Sequence, residues 1–273
     1  MSTDAHAAFR ERYGPWALVA GAGQGLGAAW AAALSRRGFN LLLLDCNAEP
    51  LTTLARDLAA RDGVTIEPIV LDLAGDDLLE RIGDAGDRRD VGLLVYNAAV
   101  SAVGEHLDHE MAIHERMLAV NCLGPLRLSH HFGRLMRIRG RGGIILMSSL
   151  SAFQGNPMLA QYAATKAYNL VLAEGLWDEC RARGVDVLAC CPGATLTPGY
   201  LATRAAPPRL AFPPEMSPES VVEEALQALG RGPRVIPGWA NRIVAFALQR
   251  LLPRVFTIKV MGRVGRGLRG ARD

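Results

Sequence analysis

Apolar runs of five to eight residues recur along the chain, and stretches of helical composition separate them. Nearly continuous apolar runs of this length are typical of strands that are buried on both faces of a sheet. The predicted strands are residues 16–20, 40–44, 64–71, 91–95, 143–147 and 185–191. The predicted helices are residues 28–37, 48–61, 76–87, 105–139, 159–183 and 217–229. A bend is expected at Gly124-Pro125, because proline interrupts a helix.

This alternation predicts an α/β fold in which a doubly wound parallel sheet, of the Rossmann type, is covered by helices on both faces. We expect a single domain over residues 1–240, followed by a basic helical extension over 241–273. Five prolines exclude one regular element over residues 198–216, which we interpret as a substrate lid; a packed surface loop is the alternative. The candidates to line an apolar pocket there are Tyr200, Leu201, Leu210, Phe212 and Met216.

A glycine-rich turn lies between the first predicted strand and the helix that follows it. Glycines in this position let the backbone approach a pyrophosphate at a helix N-terminus, where free N–H groups and the helix dipole attract negative charge. A tight loop without a ligand is the alternative interpretation. The candidate cofactor-binding residues of the turn are Gly21, Gln24, Gly25, Leu26 and Gly27.

Asp45 ends the second predicted strand, eighteen residues after Gly27. An acidic side chain at this distance is typical of one that hydrogen-bonds the adenosine ribose of a dinucleotide. A carboxylate there also repels a 2′-phosphate, and neither Gln24 nor Asn47 supplies a compensating positive charge. The sequence therefore predicts NAD as the cofactor in preference to NADP.

Residues that follow the other strands are further candidates, because ligands of doubly wound sheets bind beyond the carboxyl ends of the strands. Asp72 is placed to accept a hydrogen bond from an adenine amino group, and a helix or turn cap is an equal alternative. The remaining cofactor candidates are Leu73, Asn97, Ala98, Ala99, Pro192, Gly193, Thr195 and Thr197.

Tyr162 and Lys166 lie four residues apart in a predicted helix, so both side chains project from one face. A lysine ammonium beside a tyrosine hydroxyl favours the phenolate, which predicts a lowered pKa for Tyr162 and a role as general acid or base. Ser149 precedes Tyr162 by thirteen residues and ends a strand. Its hydroxyl is expected beside the phenol, with an ordinary cap as the alternative.

Together these residues resemble the classical short-chain dehydrogenases/reductases. The matching motifs, in family order across residues 16 to about 200, are Gly21-x-x-x-Gly25-x-Gly27, Asn97-Ala98-Ala99, Asn121, Ser149, Tyr162-x-x-x-Lys166 and Pro192-Gly193-x-x-x-Thr197. The resemblance implies that Tyr162 is the general acid/base, and that Lys166 lowers its pKa and holds the nicotinamide ribose. It also implies that Ser149 binds the reacting oxygen and that Asn121 holds a relay water.

Two motif positions depart from the family pattern. Ala20 stands where a threonine usually precedes the first glycine, and Tyr96-Asn97-Ala98-Ala99 replaces Asn-Asn-Ala-Gly. The segments 12–16 and 235–238 resemble the subset of ketoacyl and hydroxysteroid reductases. Members of this subset often carry arginines where this chain has Asp45-Cys46-Asn47.

Charge is unevenly distributed along the chain. Residues 231–273 contain ten Lys or Arg and one acid, whereas the remainder has a net charge of −6. The body therefore lacks the electrostatic footprint of a nucleic-acid-binding protein. The basic amphipathic tail is compatible with peripheral contact to an anionic membrane. Packing of its apolar face on the body or on a partner subunit is favoured, and Pro253 must break or kink it in either case.

Composition also bears on location and metals. No apolar run reaches the roughly 18–20 residues that span a bilayer, and the N-terminal residues lack the pattern of a signal peptide. The five cysteines have neither a CxxC pair nor zinc-type spacing, so a cytoplasmic location is expected. His106, His109 and His114 form a cluster without a recognisable ligand pattern, so we predict exposed histidines and no metal.

The sequence thus predicts a NAD-dependent alcohol dehydrogenase or ketone reductase acting on a lipophilic secondary alcohol or ketone, such as a steroid, fatty-acyl or aromatic compound. The alternatives are a dinucleotide-binding regulatory or scaffold protein without turnover, and a membrane-surface protein that works through the tail. The intact Ser149, Tyr162 and Lys166 favour the enzyme. The family resemblance further implies a homodimer or homotetramer formed through the long helices around Asn121 and Tyr162.

Overall fold

The computed structural model describes residues 3–86, 88–203 and 213–269. Within these ranges one sheet contains seven strands, all parallel. The strands are β1 Trp16–Ala20, β2 Asn40–Asp45, β3 Ile66–Val70, β4 Val91–Tyr96, β5 Gly142–Met147, β6 Val185–Cys190 and β7 Arg234–Val235. The helices are α1 Thr3–Tyr13, α2 Gly25–Ser35, α3 Ala48–Asp62, α4 Leu78–Gly86, α5 Met111–Leu118, α6 Gly124–Arg139, α7 Ala160–Arg181, α8 Pro198–Thr203, α9 Pro218–Ala228, α10 Trp239–Phe246 and α11 Arg254–Arg269.

The strand order is β3-β2-β1-β4-β5-β6-β7. The chain winds outward from β1 to β3 and then crosses to β4 on the other side of β1, so the direction of winding reverses between β1 and β4. In such sheets the crevice at the reversal binds ligands. The predicted α/β fold with a doubly wound parallel sheet is therefore confirmed. The sequence did not predict β7, because two residues carry no periodic signal.

The sheet is buried on both faces, which explains its continuous apolar runs. Along β1, Ala17 and Val19 pack into one layer with α2 and α9, whereas Leu18 and Ala20 pack into the other with α6 and α7. All four side chains are fully buried. A strand between two helical layers has no solvent face, so it shows no polar alternation.

The predicted helix 105–139 is divided, as expected, close to Gly124-Pro125. A π-helical turn over Ala119–Leu123 joins α5 to α6, and the Tyr96 hydroxyl donates to the carbonyl of Val120 at 2.5 Å. An added Cβ at Gly124 would lie 2.0 Å from the Tyr96 oxygen. Tyr96, which departs from the family motif, is thus accommodated by a glycine on the facing helix.

The C-terminal extension is helical and packs on the body. Pro253 separates α11 from the turn that follows α10, as the sequence predicts. Arg254 Nη1 donates to the carbonyl of Phe153 at 3.0 Å, and Gly262 lies against Pro157. This contact places the start of α11 against the segment that follows β5. In the described part of the chain, no helix has the length and apolar character needed to cross a membrane.

Candidate active site

A cleft of about 310 Å³ opens where the carboxyl ends of β1, β2 and β4 meet. Eleven of the predicted cofactor residues line it: Gly21, Gln24, Gly25, Leu26, Asp45, Asp72, Leu73, Asn97, Ala98, Ala99 and Thr197. The lining residues that sequence reasoning missed are Cys46, Asn47, Leu71, Val100, Arg116, Val120, Pro198 and Gly199. Four of these adjoin a predicted cofactor residue, and Asn47 and Gly199 lie two positions from one, so inspection of the residues around each strand end could have found these six. Arg116 on α5 and Val120 in the π-helical turn are the exceptions.

The glycine-rich turn is built for close backbone approach. Gly21 has a φ of 78°, and a Cβ there would lie 2.6 Å from the Cα of Ala98. A Cβ at Gly27 would lie 1.8 Å from the Gly21 carbonyl oxygen, so Gly27 supports the turn from behind the cleft. Asn97 Nδ2 donates to this carbonyl at 2.8 Å. Gly21 and Gly27 therefore cannot gain a side chain without movement of the backbone.

The N-terminus of α2 points its first turn at the cleft. Gln24 occupies the N-cap position, yet its side chain makes no cap hydrogen bond, and no acidic residue lies in the first turn. Uncapped backbone N–H groups attract a negatively charged group. Together with the glycine contacts, this uncapped helix end fits the pyrophosphate of a dinucleotide.

Asp45 is held at the end of β2 by three hydrogen bonds. Its Oδ2 accepts from the amide of Gly23 at 2.9 Å, and its Oδ1 accepts from the backbone and side-chain nitrogens of Asn47 at 3.0 and 3.1 Å. The side chain lines the cleft although it is largely buried. A fixed negative charge therefore stands at the predicted position.

Asp72 and Arg116 form an ion pair at the same end of the cleft. The second oxygen of Asp72 accepts from the amide of Ala74 at 2.9 Å, which is the turn cap that the sequence left open as an alternative. The Arg116 guanidinium holds the pKa of Asp72 below its ordinary value. Both side chains are partly exposed, so the pair adds little to stability. The pair places one carboxylate and one guanidinium side by side at this edge of the cleft.

Ser149 and Tyr162 meet between the end of β5 and the start of α7. Burial raises the pKa of Tyr162 to about 12, although the side-chain hydrogen bond between Ser149 and Tyr162 favours the phenolate. The expected lowering of this pKa is therefore wrong for the structure described. The reason is desolvation, which disfavours the charged phenolate. Ser149 Oγ also accepts from the amide of Ser151 at 3.2 Å.

The Lys166 side chain lies beneath this pair. Its Nζ donates to the carbonyl of Met147 at 2.9 Å and lies 5.6 Å from the centre of the Tyr162 ring. Lys166 is buried, and desolvation lowers its pKa to about 8. The ammonium thus faces the ring of Tyr162 and hydrogen-bonds to the backbone of β5. Ser148 Oγ donates to the Lys166 carbonyl at 2.7 Å, which gives Ser148 a structural contact distinct from that of Ser149.

Asn121 is fully buried, and its side chain clamps the loop after β4. Its Oδ1 accepts from the amide of Val100, and its Nδ2 donates to the Val100 carbonyl, both at 2.8 Å. The same Nδ2 donates to Thr165 Oγ1 at 3.0 Å. Asn121 therefore joins the cleft wall to the helix that carries Tyr162. This clamp engages both polar atoms of the Asn121 side chain. The family resemblance implies that Asn121 also holds a relay water.

The residues after β6 lie beside the extension. Pro192 accepts at its carbonyl from the amide of Leu150 at 3.0 Å, and Thr195 Oγ1 donates to the Gly193 carbonyl at 3.1 Å. A Cβ at Gly193 would lie 2.5 Å from Asn241 Oδ1. Pro192, Gly193 and Thr195 are thus outside the lining of the cleft, whereas Thr197 is part of it.

The predicted lid is described in part. Residues 198–203 form α8, and the Tyr200 hydroxyl donates to Glu215 at 2.9 Å. Met216 hydrogen-bonds through its amide to the carbonyl of Ala194 at 3.0 Å. Leu210 and Phe212 lie outside the described residues. The described ends of this segment are therefore tied to the loop after β6.

The histidine prediction was partly wrong. His114 is buried, with Nε2 at 3.0 Å from the carbonyl of His106, and the two rings lie 4.2 Å apart. The contact depends on the turn at residues 106–108 that precedes α5, which helical spacing alone does not reveal. Among the described residues, no group of three or more His, Cys, Asp or Glu side chains is placed to hold a metal ion.

Known proteins share both sequence and architecture with this chain. Residues 15–206 match the family described as short chain dehydrogenase. The chain is 35% identical over 234 residues to a 7beta-hydroxysteroid dehydrogenase of Clostridium sardiniense, covering 86% of this chain and 89% of that protein.

Two solved structures extend the likeness to the fold. One, described as giving structural and biochemical insights into 7beta-hydroxysteroid dehydrogenase stereoselectivity, superposes with a TM-score of 0.86 at 30% identity, covering 93% of this chain and 99% of that one. A short-chain dehydrogenase from Sphingobium yanoikuyae in complex with NADPH superposes with a TM-score of 0.75 at 29% identity, covering 87% and 94% of the two chains.

Proposed function

Since this chain belongs to the short-chain dehydrogenase family and is an NAD(P)-dependent oxidoreductase acting on CH–OH groups, we propose that it interconverts a hydroxysteroid or similar lipophilic secondary alcohol with its ketone, using NAD. The observation that carries the proposal is the contact of Ser149 with Tyr162 above the buried Lys166. The similarity to 7beta-hydroxysteroid dehydrogenases supports the substrate class.

The described residues fit a nicotinamide dinucleotide. Gly21 and Gly27 leave no room for a Cβ, and the uncapped start of α2 offers backbone N–H groups to a pyrophosphate. Asp45 would hold the adenosine ribose, and Lys166 the nicotinamide ribose. When bound, the nicotinamide supplies or accepts the hydride that changes a ketone into an alcohol or the reverse.

The side chains of the chain itself manage the proton. In ketone reduction, the Tyr162 hydroxyl donates its proton to the carbonyl oxygen as that oxygen gains negative charge. The Ser149 hydroxyl donates a hydrogen bond to the same oxygen and holds it beside the phenol. The Lys166 ammonium stabilises the tyrosinate that remains. Alcohol oxidation uses the same groups in reverse, so it needs Tyr162 in its ionised form.

The preference for NAD is supported by the charge at the end of β2. Asp45 is fixed by Gly23 and Asn47 and lines the cleft. A 2′-phosphate near this carboxylate would be repelled, because the hydrogen bonds to Gly23 and Asn47 hold the negative charge in place. The relative from Sphingobium yanoikuyae is in complex with NADPH, so we propose cofactor choice as a feature in which this chain differs from it.

The test is a turnover assay with wild type and Tyr162→Phe, using steroids that carry a hydroxyl or keto group, in the presence of NAD(H) and NADP(H). We expect turnover by wild type, preferentially with NAD(H), and a loss of at least about 100-fold in Tyr162→Phe. Dinucleotide binding, followed by fluorescence titration, should persist in the variant because the glycine turn is intact. Binding without Tyr162-dependent turnover of any steroid, simpler alcohol or ketone would instead support the scaffold reading.

A homodimer or homotetramer is also proposed. The exposed face of α7 forms an apolar groove that includes Ala164, Tyr168, Val171 and Leu172, and Val171 is 65% exposed. Such a patch on a long helix is typical of a subunit interface. Light scattering should give a multiple of the 29.3 kDa chain mass. Val171→Asp should lower the mass in solution, because it puts a charge into the apolar groove.

A cytoplasmic location is proposed as well. All five cysteines are free, and reduced thiols are typical of the cytosol. Fractionation of cells that express the protein would test this, and a thiol-reactive label would report whether the cysteines remain reduced there.

A further inference from the structure

The junction between α10 and α11 exposes a mixed apolar and basic segment. Every residue from 250 to 256 is exposed: Arg250, Leu251, Leu252, Pro253, Arg254, Val255 and Phe256. Leu251 is 66% and Val255 64% exposed, values far outside those of the core. Neighbouring apolar side chains that remain in water mark interaction surfaces.

An apolar stripe on α10 adds to this segment. Trp239, Ile243 and Phe246 are all more than half exposed, and their spacing of four and three residues puts them on one side of the helix. The opposite side of α10 is buried through Ala240, Asn241 and Ala245. The helix is therefore attached to the body by one face and presents large apolar side chains on the other. We call this stripe and residues 250–256 the extension surface.

Positive charge surrounds the extension surface. Residues 231–269 contain nine Lys or Arg and no acidic residue, while the remainder of the chain is net acidic. Arg250, Lys259, Arg263 and Arg266 are exposed on or near the surface. The basic character of the protein is thus concentrated beside its exposed apolar side chains.

A second copy of the chain is a poor occupant for this surface. A two-fold interface places the same patch against itself, which would bring the arginines of two subunits together. Residues 231–269 carry no carboxylate of their own, and Glu174 and Glu224 of neighbouring elements already pair with Arg234 and Arg242. Like charges in contact between the remaining basic side chains disfavour association. The bilayer interface satisfies both properties, because anionic headgroups attract arginine and lysine while the boundary of the acyl chains accepts leucine, phenylalanine and tryptophan.

We propose that the extension surface docks the protein on the face of an anionic lipid bilayer. Binding is peripheral, in agreement with the lack of a membrane-spanning helix among the described residues. The surface also lies next to the candidate active site. Arg254 bonds to Phe153, and α11 packs on Pro157 and Met158, within the segment that connects Ser149 to Tyr162. If the proposed function holds, a lipophilic substrate dissolved in the bilayer would reach the site along this side.

The test uses the full chain and two vesicle types, one of phosphatidylcholine alone and one that also contains phosphatidylglycerol. We expect co-sedimentation with the anionic vesicles only, weakened by added salt because surface charge attraction is screened. Sedimentation measures docking without turnover, so it fails or succeeds independently of the proposed reaction.

Matched variants locate the contact. Leu251→Ser with Val255→Ser should lower the affinity for anionic vesicles by about tenfold through lost apolar burial. Arg250→Gln with Lys259→Gln should lower it by about tenfold through lost attraction. The control is Leu107→Ser with Ile138→Ser, which removes side chains that are 93% and 81% exposed elsewhere, and its affinity should equal that of wild type.

Three results would overturn the proposal. One is absence of binding to anionic vesicles, and another is equal binding by wild type and the Leu251/Val255 variant. The third is that light scattering gives a lower mass for this variant than for wild type while wild type does not bind vesicles. That result would identify the extension surface as a protein interface. Circular dichroism of each variant excludes loss of the fold as the cause.

Discussion

The Asp45 carboxylate accepts a hydrogen bond from the Gly23 amide at 2.9 Å. This bond ties the end of β2 to the glycine-rich turn after β1. One side chain therefore joins two parts of the cleft, and it has two separable properties. As a hydrogen-bond acceptor it fixes the turn, and as an anion it opposes a 2′-phosphate.

Substitution of Asp45 separates these properties. Asp45→Asn removes the charge and keeps one acceptor oxygen, which can serve either Gly23 or Asn47. We expect the ratio of kcat/KM for NAD over NADP to fall by about tenfold or more, with part of the hydrogen bonding of the turn retained. Asp45→Ala removes the acceptor as well, so KM should rise for both cofactors. If this ratio is unchanged in Asp45→Asn, the charge of Asp45 does not determine the preference for NAD over NADP.

The protonation of Tyr162 predicts opposite pH profiles for the two reaction directions. With a pKa of about 12, the phenol keeps its proton at neutral pH. Ketone reduction, which uses the phenol, should then be flat between about pH 6 and about pH 8, where Lys166 also keeps its proton. Over the same range alcohol oxidation, which uses the phenolate, should rise about tenfold per pH unit. Phenolate absorbance of wild type minus Tyr162→Phe gives the pKa directly. A plateau of oxidation near neutral pH would mean that Lys166 overcomes burial.

Lys166 predicts a pH-dependent stability. Its pKa of about 8, compared with an ordinary value of 10.5, corresponds to a penalty of about 3 kcal/mol for the charged form in the folded state. Below pH 8 both states hold the proton and the penalty is constant. From pH 8 to 10.5 the unfolded chain binds a proton that the folded chain lacks, so the stability contribution of Lys166 rises with pH.

The matched comparison for this prediction is Lys166→Met against Lys259→Met, which alters an exposed lysine. Urea unfolding should show wild type gaining up to about 3 kcal/mol relative to Lys166→Met as pH rises through this window. Lys259→Met should keep a constant difference from wild type. Parallel pH curves for wild type and Lys166→Met would contradict the lowered pKa.

Asn121 predicts a coupled loss of stability and cofactor affinity. Asn121→Leu removes both hydrogen bonds to the backbone of the half-buried Val100, and each lost hydrogen bond costs about 0.5–1.5 kcal/mol. Because Val100 lines the cleft, the KM for the dinucleotide should rise. Asn121→Asp retains the acceptor for the Val100 amide but loses the donor to its carbonyl and buries a carboxylate, so it should also unfold at a lower temperature than wild type. Equal unfolding temperatures for Asn121→Leu and wild type would exclude the clamp.

The parts of the fold and site that the sequence predicted are those set by local pattern. Asp45 and Gly21 follow buried strands directly, so the end of each apolar run locates them. Arg116 was missed because its partner Asp72 lies 44 positions away, and nothing in α5 marks that contact. The direction of the Tyr162 pKa was missed for a similar reason, since helical spacing puts Lys166 nearby but does not reveal how far the fold removes both groups from water.

Substitution of Gly27 tests whether the glycine-rich turn binds the dinucleotide, and the test does not depend on catalysis. In Gly27→Ala the new Cβ would lie 1.8 Å from the Gly21 carbonyl oxygen, so the turn or the start of α2 must shift. We expect dinucleotide affinity to fall by at least about 100-fold, because a displaced turn no longer presents its N–H groups to the pyrophosphate. Gly232→Ala is the control, since a Cβ there meets no atom within 4 Å among the described residues. Calorimetric titration with NAD should show wild-type affinity for Gly232→Ala. If Gly27→Ala also binds NAD with wild-type affinity, the cofactor does not bind against this turn.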